Sequence, residues 1–369
     1  MKQTIYKLCG ILCLILGLFA CSDSGETGSE NDFDRVGMLE NIADNIILPS
    51  FVDLQNKVNA LNASMDNFIN TSDAPNLTAM QNAWGEAAKS WQYCTTYDFG
   101  PASRSLGSLA QVIGTFPVST TKIEAAISNQ DFSLNNFDRD VRGFMAIDYL
   151  IFDPNGNNEV LTRYDSNTSG SGDRKQYLKA VINHLKAEVD DVTSQWQTYR
   201  NTFVSQNGTS TGSSTSLLFN AFSASFEQVK NFKVGLPAGK RPGQSSPEPT
   251  KVEAFYSTRS LELIKEHLNA IEQIWLGKSK NGLDGIGFEE YLNSVVGGMA
   301  LVQDTKAQLV QMKTALNAIP VIPFSEAVTE EAGLVDAAYT ELQKQTRFFK
   351  SDMSSLLGIA ITFNSGDGD

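Results

Sequence analysis

The stretch 51–68, FVDLQNKVNALNASMDNF, sets Phe51, Leu54, Val58, Leu61, Met65 and Phe68 at successive steps of 3, 4, 3, 4 and 3 residues. Residues so spaced share one face of an α-helix, and a period near 3.5 suits helices that pack at a shallow angle, so the stretch predicts a bundle helix. The same rhythm returns at Leu261, Ile264, Leu268, Ile271 and Trp275, again at Leu309, Met312, Leu316 and Ile319, and with a gap at Val335, Ala338, Leu342 and Phe349. Proline-free spans between Pro154 and Pro237 and between Pro249 and Pro320 leave room for long helices. No alternating strand pattern runs for a useful length. The expectation is an all-α protein.

Composition narrows the class. With 41% hydrophobic and 19% charged residues the chain is ordinary globular material, neither disordered nor fibrous. Its net charge of −13 becomes −15 if Lys2 and Lys7 are removed, and so acidic a surface repels phosphate backbones, so nucleic acid is not an expected partner.

Those two lysines begin a targeting segment. A short apolar run from Cys9 to Ala20 is too brief for a membrane span and suits a signal peptide. Its end, Leu18-Phe19-Ala20-Cys21, resembles the bacterial lipobox, which implies lipidation of Cys21 and an anchor in the cell envelope, on the periplasmic or surface-exposed face of the outer membrane. Residues 1–20 are then the signal, and 21–35, with the acidic run SDSGETGSENDFD from Ser22 to Asp34, a flexible tether. The mature chain keeps one thiol, Cys94, which reads as a small packed residue and excludes an internal disulfide. Serine- and glycine-rich loops are expected at Asp165–Asp173 and Ser205–Ser216, the second marking a boundary between domains 36–208 and 209–365.

Most catalytic patterns are missing. The two histidines, His184 and His267, lie in no His-x-x-Glu, Glu-x-x-His or His-Glu-x-x-His spacing, and their charged neighbours in sequence read as solvated helix faces. There is no P-loop.

One segment stands out, NFDRDVRGFMAIDYLIF from Asn136 to Phe152. Asn135 or Asn136 is a candidate helix cap, with Asp138 and Asp140 in the first turns. From Phe144 on, Asp148 is the single charge in a wholly apolar run, so it is expected to be buried and to need a partner. Arg104, Arg142, Arg241 and Arg259 are the candidate cations. Gly143, one turn earlier, predicts close approach by another backbone.

The same segment, Gly143 to Leu150, resembles the Gly-x-His-x-x-Glu signature of the imelysin-like family. Trp84 and Trp91 before Phe99-Gly100-Pro101 resemble its Trp-rich helix. Ile113-Gly114-Thr115-Phe116-Pro117 resembles its Ile-Asp-x-Trp-Pro, and Val252 to Ser260 followed by Ile274 to Gly277 resembles its late segments. The resemblance spans most of residues 36–365. It implies two four-helix-bundle domains side by side, the first carrying Gly143–Asp148, with a pocket between them. It further implies an exported component of iron, metal or haem uptake that works with an outer-membrane transporter, or else a metallopeptidase. The motif histidine is replaced by Met145, its glutamate by Asp148, and two further acidic positions by Thr95 and Gly114. A thioether prefers soft Cu(I), so Asp148 is at best a weak metal ligand and the cofactor is open. The expected ligand-binding set is Gly143, Met145, Asp148, Arg104, Ser257 and Arg259, with no catalytic residue, and the ligand is expected to be uncharged or organic. A structural or adhesion lipoprotein is the remaining reading.

Overall fold

A computed structural model describes residues 33–134 and 137–363. The described residues contain helices and turns and no strand, as the helical stripes require. The first eight helices are α1 (Arg35–Asn41), α2 (Leu48–Asn70), α3 (Ala74–Gln92), α4 (Leu109–Ile113), α5 (Thr120–Ser128), α6 (Gly143–Ile151), α7 (Asn157–Tyr164) and α8 (Ser171–Ser205). They are followed by α9 (Ser214–Gln228), α10 (Ser260–Leu276), α11 (Phe288–Asn293), α12 (Gly298–Ala318), α13 (Phe324–Glu330), α14 (Ala332–Arg347) and α15 (Met353–Leu357). From Phe33 onward the described chain forms one compact unit.

The opening stripe works as its spacing demands. All six of its residues, Phe51 to Phe68, are buried along α2, which packs on α3 and α8. A turn separates α2 from α3, where the Asp73 carboxylate accepts the Asn76 N–H at 2.9 Å and Pro75 sits in the first turn, a position that needs no N–H. Helix α8 runs 35 residues, and its Trp196 stacks on Phe51 at 6.1 Å and meets Phe99 edge-on at 5.6 Å. The later stripes bury their residues along α10, α12 and α14, with Ile319 and Phe349 just beyond the ends of α12 and α14. The gap in the last stripe is Gln345, which is also fully buried.

Several local expectations shift. Helix α8 begins inside the loop expected at 165–173, because Gly170 adopts a left-handed φ of +80° and lets the chain turn into the helix. Folded structure also starts within the stretch assigned to the tether: Asp34 caps α1, and Phe33 stacks on Tyr291 at 4.4 Å. Asp138 and Asp140 do not open the motif helix. They lie beside a 3₁₀ turn and bind Lys122, at 2.9 and 3.2 Å, while α6 starts later at Gly143. Asn135, Asn136, the signal segment and Cys21 lie outside the described residues.

Candidate functional site

Helix α6 is the centre of the candidate site. It can be apolar all round because neighbours cover every side, and it buries each residue except the half-buried Tyr149. Gly143 begins it at φ +76°, and a Cβ there would lie 2.3 Å from the Ile113 carbonyl oxygen of α4. The close approach read from the sequence is therefore real. Neighbouring side chains meet the helix carbonyls: Trp84 Nε1 donates to Phe144 O at 3.0 Å, Gln81 Nε2 to Ile151 O at 2.8 Å, and Tyr164 Oη to Leu150 O at 3.2 Å.

Asp148 is 1% exposed, but its partner is not an arginine. The loop Val252–Arg259 bends back through positive φ at Ala254 (+55°) and Thr258 (+62°), which turns consecutive amides toward α6. The Tyr256 N–H donates to Asp148 Oδ2 at 2.9 Å and the Ser257 N–H to Oδ1 at 3.1 Å. One turn earlier on α6, Met145 Sδ accepts the Ala254 N–H at 3.0 Å. Burial pushes the Asp148 carboxyl up to about 7, against the opposing pull of Ser257, the two amides and the more distant charge of Arg259.

The loop is held from its other side by a buried ion pair. Glu253 and Lys233 are each 2% exposed and stand 2.8 Å apart, and Gln92 Nε2 of α3 donates to Glu253 Oε1 at 3.3 Å. Burial lowers the Lys233 pKa and Glu253 opposes that shift. Such a pair costs desolvation and is strongly destabilising to break, so it fixes where the loop lies more than it adds stability.

One cavity borders this arrangement, and a second adjoins the first at Phe116. The first, of about 260 Å³, is lined by Phe116, Pro117, Met145, Asp148, Phe255 and Tyr256. The second, of about 740 Å³, has Thr95, Gly114, Ser225, Gln228 and Phe232 in its walls, and Phe116 lines both. A Cβ at Gly114 would stand 3.1 Å from the Trp91 indole and 2.9 Å from Ala110 O, so an acidic residue at that position would need both to move.

His267 corrects the sequence reading. It is fully buried, not solvated, and its Nε2 lies 2.6 Å from Ser225 Oγ and 2.9 Å from Thr95 Oγ1, both residues of the larger cavity's wall. Burial and the nearby Lys233 hold its pKa well below the ordinary value, so the ring is neutral. Its signal was its place three residues after Ile264 and four before Ile271, on the buried face; Lys265 and Glu266 beside it in sequence point elsewhere. His184 is half-buried. Cys94 is buried, as its packed reading requires.

Of the expected set, Gly143, Met145, Asp148 and Ser257 come together. Arg259 lies against Gly85 and pairs with Glu262 at 3.7 Å, near Asp148 without hydrogen-bonding it. Arg104 does not belong: it pairs with Glu188 and Asp191 on α8, in another cavity. The reason is local, since two loop amides already satisfy the carboxylate. The donors do not fit a hard metal centre. Both Asp148 oxygens and the Met145 sulfur accept backbone N–H groups, and among the described residues no three His, Cys, Asp or Glu side chains are grouped to hold a metal ion. No described helix is long and apolar enough to cross a membrane.

Comparison with known proteins follows the same lines. A family model described as imelysin matches residues 47–348. Iron-regulated protein A of Synechococcus elongatus is 20% identical over 293 residues, spanning 76% of this chain and 75% of that protein. Among solved structures, an iron-regulated protein A precursor from Parabacteroides distasonis superposes with a TM-score of 0.73 at 18% identity, covering 87% of this chain and 95% of that one. An imelysin-like protein from Psychrobacter arcticum gives 0.71 at 16%, covering 89% and 97%. Both structures share the all-helical fold.

Proposed function

This chain belongs to the imelysin family, and from that membership we propose that it is a non-enzymatic binding protein of the cell envelope, related to iron uptake. In this reading it is exported, anchored by lipid on Cys21, and passes its ligand to an outer-membrane transporter. The iron-regulated relative supports the iron connection by its name. The observation that carries the binding role is the use of Met145 and Asp148 as acceptors for the loop at Ala254–Ser257, beside one cavity and joined through Phe116 to a larger one, with walls mostly of apolar, amide and hydroxyl groups. Such walls suit an uncharged or organic ligand, haem or an iron-carrying small molecule included, better than a bare ion. A metallopeptidase needs a metal-bound water held by three ligands, and this donor set does not supply them.

Metal analysis of the purified protein before and after incubation with iron, zinc and copper tests the reading. We expect no stoichiometric metal. Retention of one ion per chain that disappears in Asp148→Asn would return the metal centre and overturn it. For the anchor, radiolabelled palmitate should enter the wild type and not Cys21→Ala.

A further inference from the structure

The cavity that holds Arg104 has a different character from the two that meet at Phe116. It measures about 390 Å³ and lies among the segment after Pro101, α4, the approach to α6, and α8. Arg142, the residue just before Gly143, reaches into its wall and is 8% exposed. Its Nη1 donates to Leu134 O at 2.7 Å and its Nε has no hydrogen-bond partner; the Glu188 charge in the same wall acts on it, but among the described residues no ion pair joins the two. A buried cation left in that state is costly, which makes it a candidate for an external anion. His184 lines the same cavity, and its buried Nδ1 is likewise unpartnered. Arg104, by contrast, is already neutralised by Glu188 and Asp191.

Beside Ser105 and Glu188, the remaining side chains of the wall are apolar. Val112 and Leu134 are buried walls, while Leu106 and Phe137 stand at the mouth, 71% and 77% exposed. Large apolar side chains left that open beside a buried cation match a ligand with a greasy body and a charged head.

We propose that this cavity binds an amphipathic monocarboxylate, its head on Arg142 and its chain against Leu106, Val112, Leu134 and Phe137. A guanidinium offers a fork matched to a carboxylate. Glu188, also in the wall and paired with Arg104, repels an anion in proportion to its charge, so a dianion such as phosphate is disfavoured more than a monocarboxylate. The site is separate from Asp148 and does not depend on the function proposed above.

Isothermal titration of the purified full chain with octanoate, octan-1-ol, acetate and inorganic phosphate tests it. Octanoate should bind one per chain, and each of the other three at least tenfold more weakly. Arg142→Gln should weaken octanoate at least tenfold. Because that substitution is buried, Leu106→Glu serves as the second variant: it lies on the exposed mouth, keeps the core, and should weaken octanoate as much by placing a like charge there. Absence of saturable octanoate binding up to millimolar concentration, octan-1-ol or phosphate binding as tightly as octanoate, or wild-type octanoate binding by Leu106→Glu would each overturn the proposal.

Discussion

Gly143 comes so near Ile113 that a single added methyl group would lie 2.3 Å from the Ile113 carbonyl oxygen, and Gly143 does so at φ +76°. Backbone against backbone leaves no flexible side chain to give way.

Gly143→Ala should therefore lower stability by about 3 kcal/mol or more, combining left-handed strain of about 1–2 kcal/mol with overpacking of similar size. Urea unfolding measures it. A loss under about 1 kcal/mol would mean that α4 and α6 are not so close.

Asp148 should make its own contribution to stability fall as pH rises. Its folded pKa of about 7 stands above the ordinary 3.8, so the folded state holds the proton more tightly. The contribution is full below about pH 4, declines through pH 7, and is flat above, with a span of a few kcal/mol. Denaturation of wild type and Asp148→Asn at pH 4, 5.5, 7 and 8.5 isolates the slope. Parallel curves for the two proteins would contradict the buried carboxyl.

His267 should stay neutral in the folded protein as pH falls through the ordinary imidazole range, since burial and Lys233 both disfavour its charged form. Its contribution has the opposite sign to that of Asp148: present above about pH 6.5, it is lost as pH falls, because the unfolded chain takes up the proton first. NMR of the imidazole carbons reads this directly, and a midpoint near 6.5 would place the ring in water.

Restoring the family pattern with Met145→His and Asp148→Glu should not create tight iron or zinc binding. The loop amides still cross the site, Thr95 is engaged with His267, and Gly114 has no room for a side chain. Calorimetric binding at micromolar affinity or better would show that the change of ligands alone separates this chain from a metal centre.

The long helices were legible because burial along one helical face leaves a periodic trace, as from Phe51 to Phe68. Gly143 was legible too, since a glycine in an apolar helix has few uses besides letting something approach. Asp148 was seen to be buried, but its partner was not. Backbone N–H groups have no side-chain signature, and only the positive φ at Ala254 and Thr258 brings them there. His267 was misjudged by its sequence neighbours, which share no helix face with it. Arg104 was assigned to the wrong cavity, because nothing in one dimension tells which carboxylate on α8 will reach it first.

Phe116 borders both the cavity beside α6 and the larger one next to it. A single ring cannot move toward one without altering the volume of the other. If filling one space shifts that ring, occupancy on the two sides is coupled, and the coupling is then reciprocal: whatever a guest in the larger chamber does to affinity in the smaller, a guest in the smaller does in return. Titrating one guest in the presence of the other is the measurement that reads such a coupling.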